Sequence, residues 1–527
     1  MAVIIIKMGL AIMISGIYLI QPKFPPSFWG MDYCRDLSGF KANFPPLNLM
    51  TLAALTPEDI KVTICDEHVE LAKLNIPDEV VGISGYLVQK DRVFELAKLY
   101  KNQGKIVVIG GPIASLMPDE CRKYADVLFE GESEYTWPQF IKDLRINQPE
   151  QSYCEHGWVA LKDIPLPRLD LVKMDNYAQG IVQTSRGCPF NCEFCDISVM
   201  FGRKVRIKPL VRIMDEIKLW YQAGAPAIFF ADDNFAGNRH HARELLSELV
   251  KLNQSIATPL IFHAQISVDV TSDEAFLGLM QAANFQAVFV GIETPRKTSL
   301  LEINKVQNLK VDLVQAIKIF QRYGMFVFAG MIVGFDNDDE SVFAEIFDFV
   351  QNSNILLPMI GLLQALPKTP LFERLNQSGR IKQEFQPSNN HTVSSNIIPL
   401  KISYEQLCRN YIDLCKRLYS YEAFSKRLIG SLQQVFEYKL NVHQTSLRSI
   451  LAGVRVMRYY LLTCDWRRRN FFIKTIYNTM QIKWQAIMLV IWYLGIYKHV
   501  SSFVENDLKL ASASIRSSAL DSMPHSL

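Results

Sequence analysis

Three cysteines lie within eight residues of one another, in Thr184-Ser185-Arg186-Gly187-Cys188-Pro189-Phe190-Asn191-Cys192-Glu193-Phe194-Cys195, with the spacing CxxxCxxC. Thiolates are soft ligands and suit iron–sulfur clusters or zinc. A loop this short can wrap one face of a cubane cluster. Three donors leave one iron of a [4Fe–4S] cube without a protein ligand, a position where a small molecule can chelate. Structural zinc is the competing reading, but such sites close with four ligands, commonly as paired CxxC units. No second pair exists here, and Cys154 and His156 fall in a stretch that reads as a linker. The other seven cysteines (Cys34, Cys65, Cys121, Cys154, Cys408, Cys415 and Cys464) are scattered and read as small, inert apolar side chains. Ten cysteines in 527 residues are too sparse and uneven for a secreted disulfide framework. The tight group of three points to metal ligation in a reducing, cytoplasmic compartment.

The loop needs elements to hold it, and the flanking sequence supplies two αβ series. Candidate strands at 17–21, 61–66, 79–85, 105–111 and 126–131 are short, rich in Val and Ile, and bounded by turn residues. Stretches such as 90–104 between them have helical spacing and end in glycine. Alternation of this kind predicts a parallel sheet covered on both faces, with ligands at the carboxyl ends of the strands. Ser84-Gly85, Gly110-Gly111-Pro112 and Glu130-Gly131-Glu132 stand at three of those ends. The glycines either let backbone approach a large flat or phosphate-bearing ligand, or make ordinary strand-to-helix turns. A second series has strands at 180–185, 227–232, 261–267, 287–293, 326–334 and 359–366, with a helix at 273–285. Repeated βα units with strands apolar on both faces predict a complete or partial barrel.

The expected fold class is therefore α/β: a Rossmann-like domain over 1–150, a linker over 151–180, a (β/α) barrel over 181–385, a helical region over 386–505 after a polar break at 386–396, and a disordered Ser-rich tail over 506–527. The formal net charge of +3 argues against a nucleic-acid partner. The apolar start, MAVIIIKMGLAIMISGIYLI, reads as a signal, an anchor or a buried first strand. Lys7 and the lack of an A-x-A-like cleavage site favour the strand, leaving the residues before Met13 as an extension. In the C-terminal region, the apolar run 486–497 is too short to span a bilayer and reads as a core helix. An interfacial helix flanked by Arg467, Arg468 and Arg469, giving peripheral membrane contact, is the sharper alternative.

At the cysteine loop the sequence resembles the radical S-adenosylmethionine (SAM) superfamily, whose CxxxCxΦC motif has an aromatic before the last cysteine, here Phe194. The resemblance implies that Cys188, Cys192 and Cys195 hold the catalytic [4Fe–4S] cluster. It places Asp232, Asp233 and Asn234 at the strand end that binds the SAM amino group, and Gln265 and Ser267 at the next. Glu293 stands near the ribose, and Gly330 and Gly334 near the adenine. Leu366-Pro367-Lys368-Thr369-Pro370 sits where the family often has P-G-T-P, with Lys368 in place of glycine. The segments 24–30, 45–49, 82–90, 108–112 and 130–134 resemble the cobalamin-binding domain of one large subgroup. That likeness makes Ser84, Gly85, Gly110, Gly111 and Glu130 cobalamin-contact candidates. The C-terminal region resembles the branch that includes the hopanoid C-2 methylase and the bacteriochlorophyll ring methylases. One departure concerns the D-x-H-x-x-G motif for an axial histidine: Asp66-Glu67-His68 is followed by Leu71. Cobalamin without a protein histidine is then implied.

In such enzymes a reduced cluster cleaves SAM to methionine and a 5′-deoxyadenosyl radical, which abstracts hydrogen from an unactivated carbon. Methylcobalamin then donates the methyl group and a second SAM restores it. The resemblance thus implies a C-methyltransferase for a small hydrophobic substrate, isoprenoid-lipid or tetrapyrrole-like, reduced by a donor such as flavodoxin or ferredoxin. Arg186 reads equally as a SAM-carboxylate ligand or as a turn cap. Two other readings stay open: a cyclase or rearrangement enzyme with the same cofactors, and a non-catalytic cobalamin- or metal-binding module.

Overall fold

In the computed structural model the described residues are 14–382, 393–437 and 447–521. The apolar start up to residue 13 and most of the polar break lie outside them. The chain divides into two compact units. One holds residues up to Pro25 with Lys41–Cys188 and Asp196–Ile228; the other holds Pro26–Phe40, Pro189–Cys195 and the chain from Phe229 onward.

The first unit carries a six-stranded sheet of β1 (Gly16–Gln21), β2 (Lys61–Asp66), β3 (Val80–Ser84), β4 (Ile106–Gly110), β5 (Val127–Glu130) and β6 (Ser152–Cys154), in the order β2-β1-β3-β4-β5-β6. All neighbouring strands run parallel. β1 and β3 are buried along their whole length, which is why they read as unbroken apolar runs. The helix Lys90–Asn102 covers the sheet with Val93, Phe94, Leu96, Ala97 and Tyr100. The helix Thr136–Arg145 buries Trp137, Phe140, Ile141 and Leu144. β6 corrects the sequence reading, which placed 152–154 in the linker. Tyr153 stacks on Phe129 at 5.2 Å and packs edge-on to Phe140. A single buried aromatic thus anchors a strand too short to show a period.

The second sheet joins β7 (Gly180–Val182), β10 (Ala227–Phe230), β11 (Ile261–Ile266), β12 (Phe285–Glu293), β13 (Phe326–Val333) and β14 (Leu357–Leu362), in the order β14-β13-β12-β11-β10-β7. β8 (Ser185–Arg186) and β9 (Arg206–Ile207) form a separate antiparallel ribbon. The strand expected over 180–185 is therefore two pieces. The strand expected over 359–366 begins earlier and stops at Leu362. Beyond it, Gln364 Nε2 donates to Ser394 O (3.1 Å), and Ala365 N donates to Asn396 Oδ1 (2.9 Å), so these polar groups leave the ladder.

The C-terminal helices are Tyr404–Leu418, Tyr421–Glu437, Leu447–Leu461, Trp466–Lys483 and Ile487–Asp521. Ser403 and Asp465 cap two of them through side-chain oxygens. Their interior is aromatic, with Phe424 stacked on Tyr497 at 4.2 Å and Tyr460 on Phe472 at 5.4 Å. Val490, Ile491, Tyr493, Leu494 and Tyr497 are buried, so the apolar run 486–497 is a core helix face. One helical stretch, Trp466–Asn506, is long and apolar enough to cross a membrane by length and composition, and over half of its most apolar window is buried within the protein. The last helix runs through Asp521, across most of the expected disordered tail. No glycine or proline interrupts the chain from Ile496 to Met523.

Candidate active site

None of the ten cysteines is disulfide-bonded. Cys34, Cys65, Cys121, Cys408 and Cys415 are buried, and burial pushes their thiols up to about 12, 11, 12, 11 and 12. These five are silent at neutral pH. Cys154 and Cys464, the other two of the seven read as small, inert apolar side chains, are exposed. Cys188, Cys192 and Cys195 are each half-buried, as a loop ligand must be.

Local geometry explains the loop. Gly187 has φ +90°, and a Cβ there would stand 2.8 Å from Lys204 O. Within the second unit, Glu193 N donates to Ile303 O (3.0 Å), Leu371 N to Glu193 O (3.1 Å) and Asn304 Nδ2 to Asn191 O (3.0 Å). Arg374 grips the Glu193 carboxylate through Nε and Nη2 at 2.6 and 2.9 Å. Among the described residues, no three Cys, His, Asp or Glu side chains already converge on a metal-sized point. The donor chemistry fits an iron–sulfur cube all the same: three thiols on one short loop, with Gln307 Nε2 donating to Cys192 Sγ at 3.7 Å.

The strand ends of the second unit gather the other candidates. Asp232 and Asn234 are buried. Asn234 ties its own loop to the next, donating from Nδ2 to Ser267 Oγ (3.0 Å) and accepting Ser267 N at Oδ1 (3.3 Å). Gln265 is exposed on β11, two residues after half-buried His263, whose pKa burial lowers to about 4. Glu293 is buried with φ +64° and forms an ion pair with Lys305. Burial alone would lower the Lys305 pKa, but the charges of Glu293 and Cys192 reverse the sign and raise it. Asn308 Nδ2 donates to Gly291 O and Ile292 O at 3.1 and 2.9 Å, fixing the turn that carries Glu293. Gln307 Oε1 and Asn308 Oδ1 are buried acceptors without a protein partner. The sequence reading missed Lys305, Gln307 and Asn308; the only signal was a run of polar residues, Asn304-Lys305 and Gln307-Asn308, where the helix Lys297–Glu302 turns into the helix Val306–Leu309.

Gly330 faces the Phe289 ring, where a Cβ would lie 3.0 Å from Cζ. Lys368, at the glycine position of the P-G-T-P-like turn, has φ +66°, so it takes the left-handed conformation itself. Gly334 has φ +105°, and its N–H donates to Asp338 Oδ2 (2.9 Å), beside Phe335 N (3.1 Å). Burial pushes the Asp338 carboxyl up to about 6 despite these bonds. A carboxyl raised in the folded state favours folding at low pH. That contribution is lost as pH climbs from about 4 to about 6, by up to about 3 kcal/mol. Asp338→Asn keeps the shape without the ionisation. Its Tm should match the wild type near pH 4 and exceed it at pH 7, which melting curves across that range will check.

In the first unit, β1 and β3 are neighbours at the centre of the order, the switch point where such sheets bind ligands. Gln21 ends β1 there, buried, with its Nε2 unpaired. Ser84 Oγ accepts from Asn48 Nδ2 at 2.8 Å. Gly85 and Gly111 are closely packed: a Cβ on Gly111 would meet Gly85 O at 2.9 Å, and one on Gly85 would meet Val93 Cγ2 at 2.5 Å. On Gly110 a Cβ would stand 3.5 Å from the Phe129 Cβ, an ordinary contact. Glu130 is held by Arg122 (2.7 Å) and Ser152 (3.0 Å). Arg186 is committed to Glu132 and Glu134, each at 2.6 Å, and Arg206 adds a second cation to Glu132 at 2.8 Å. His68 accepts Phe24 N at Nε2 (3.1 Å) and pairs through Nδ1 with Asp66 Oδ1 (2.8 Å), which occupies both ring nitrogens.

A cysteine loop opening a partial barrel of parallel strands, with acidic and polar groups at the strand ends, fits the class that the motif resembles, enzymes that cleave SAM reductively at an iron–sulfur cluster. Comparison with known families agrees. The model of the radical SAM superfamily matches residues 182–350, and a model of a domain of unknown function, DUF4070, matches 369–510. The chain is 35% identical over 417 residues to an uncharacterized methyltransferase, sll1242, of Synechocystis sp., covering 78% of this chain and 77% of that one. It is 29% identical over 459 residues to the hopanoid C-2 methylase of Rhodopseudomonas palustris, covering 86% and 85%. The structure of the cobalamin-dependent SAM radical enzyme OxsB, with aqua-cobalamin and SAM bound, superposes with a TM-score of 0.60 at 15% identity, covering 98% of this chain and 85% of that one. The chain belongs to the radical SAM superfamily and is a radical SAM enzyme, with a [4Fe–4S] cluster and SAM as cofactors.

Proposed function

We propose that this enzyme is a cobalamin-dependent C-methyltransferase acting on an unactivated carbon of a hydrophobic, isoprenoid-lipid or tetrapyrrole-like metabolite. The observation that carries it is a single chain joining the cysteine loop and barrel to a sheet in the order β2-β1-β3-β4-β5, whose switch point offers the buried, unpaired amide of Gln21. The relation to the hopanoid C-2 methylase over most of both chains supports methyl transfer to an apolar skeleton. Cobalamin and SAM supply the methyl carrier and the radical initiator.

In this reading Cys188, Cys192 and Cys195 hold the cluster, with Phe194 against it. Asp232, Asp233 and Glu293 orient the SAM ammonium and ribose through charge-assisted hydrogen bonds. Asn234, Gln265 and Ser267 set the neighbouring loops, and Gly330 and Gly334 admit the adenine. Ser84, Gly85, Gly110 and Gly111 bring backbone against the cobalamin, while Glu130 fixes the adjoining loop. Residues 1–150 form the cobalamin domain, 181–385 the barrel and 386–505 the helical extension. The enzyme works in the cytoplasm with a flavodoxin- or ferredoxin-like reductant.

Metabolite profiling of a deletion strain tests the function. A hydrophobic product lighter by one methylene unit is expected; a missing ring closure without mass loss of methyl would favour a cyclase instead. The engagement of both His68 nitrogens adds a prediction: His68→Ala retains cobalamin, and the cobalt(II) EPR spectrum keeps its shape. Loss of a nitrogen splitting in that variant would show an axial histidine.

A further inference from the structure

Residues 26–40 belong to the second unit, far in sequence from the barrel they join. Their Trp29 lies against three barrel strands. Its ring is 5.7 Å from Phe289 on β12 and 6.0 Å from Phe328 on β13, and its Nε1 donates to Met359 Sδ on β14 at 2.8 Å. Alternate residues Val288 and Val290, and Val327 and Ala329, are buried, whereas Phe289, Phe328, Met359 and Trp29 itself keep part of their surface open. These four side chains therefore line the inner face of the barrel without closing it. Phe289 stands four residues before Glu293 on the same strand, roughly 13 Å away at the rise of an extended chain. Phe289 and the proposed SAM-orienting Glu293 thus lie on one strand.

The last helix latches the strap. His499 is fully buried; its Nδ1 accepts Tyr33 N (3.2 Å), which places the proton on Nε2, and Nε2–H donates to Ser27 O and Phe28 O at 3.0 and 3.1 Å. Lys498 of the same helix holds Asp36 at 2.9 Å, and Arg448, on the helix Leu447–Leu461, donates to Gly39 O at 2.6 Å. The two carbonyls fixed by His499 immediately precede Trp29.

We infer that Trp29, positioned by His499, is the specificity-determining wall of the substrate pocket, and that its occupant is an uncharged fused-ring hydrocarbon. The strands β11 to β14 contain no lysine or arginine, so they offer no fixed cation to a carboxylate or phosphate; their polar side chains are His263, Gln265, Gln286 and Glu293. Three aromatic rings and a thioether suit a saturated ring skeleton, whose burial is driven by apolar area. This assignment rests on the proposed C-methyltransferase reading and narrows its substrate class.

The test uses the full-length holoenzyme, prepared without oxygen, and the affinity for a pentacyclic triterpene hydrocarbon presented in cyclodextrin. Trp29→Ala should weaken binding at least tenfold and Trp29→Phe by a few-fold. His499→Leu should weaken it as Trp29→Ala does, whereas His499→Gln, which can still accept from Tyr33 and donate to Ser27, should restore most of it. Iron content checks folding; if Trp29→Ala loses its iron, Trp29→Phe and His499→Leu carry the comparison. Equal binding by all variants overturns the inference, as does tighter, Trp29-dependent binding of a porphyrin dicarboxylate. Trp29-dependent binding with no methylated product missing from the deletion strain would sink the methyltransferase reading and leave the pocket standing. A Trp29→Ala enzyme that methylates normally would do the reverse.

Discussion

Cys192→Ala should yield a folded chain that assembles no iron–sulfur cluster and releases no detectable 5′-deoxyadenosine from SAM under strong reductant. The side chain is half-buried, so its removal leaves the core intact, and the loop stays pinned by Glu193 and Leu371. What disappears is a thiolate that two others on an eight-residue loop cannot replace. Cys154→Ala and Cys464→Ala, at exposed positions outside the loop, are the matched controls and should keep full iron content. Anaerobic iron and sulfide analysis with product chromatography decides the matter. Stoichiometric zinc in the wild type, or SAM cleavage surviving in Cys192→Ala, would dismantle the assignment.

The second large effect is expected at Lys305. Lys305→Met strands the Glu293 carboxylate, buried on a strained φ of +64°, without its cation. Breaking a buried pair from one side costs about 3–5 kcal/mol, because the remaining charge is uncompensated. Adding Glu293→Gln removes that charge, so the double variant should recover much of the lost stability. A double-mutant cycle read by thermal melting separates the two. A single Lys305→Met variant as stable as the wild type would mean that the pair contributes little to the fold.

How far the sequence reveals all this follows from what each feature looks like locally. The three cysteines stand out because their spacing is rare and their chemistry needs proximity. The strands β1, β3, β4 and β13 are legible because they are almost wholly buried and nearly all apolar. β6 was missed because three residues anchored by Tyr153 have no period. Lys305 and Gln307 were missed because their role depends on Glu293 and Cys192, which lie 12 and 115 residues away. Trp29 was read as part of the N-terminal domain because nothing in a proline-flanked aromatic run announces that it packs against strands more than 250 residues later. The Lys368 position shows the limit of motif matching: the sequence departs from glycine, yet the backbone adopts the glycine-like conformation.

The fastening of the cysteine loop has a consequence for how the enzyme matures. Its second half is already tied to Ile303, Asn304 and the helix Pro370–Gln377, with Arg374 bridging Glu193 to Asp336 at 2.9 Å. Small zinc modules, by contrast, acquire their shape only when the metal arrives. Here the second half of the loop is held by polypeptide contacts of its own. The expected consequence is that protein prepared without iron resists limited proteolysis at this loop nearly as well as the cluster-loaded enzyme, and digestion before and after reconstitution will check it.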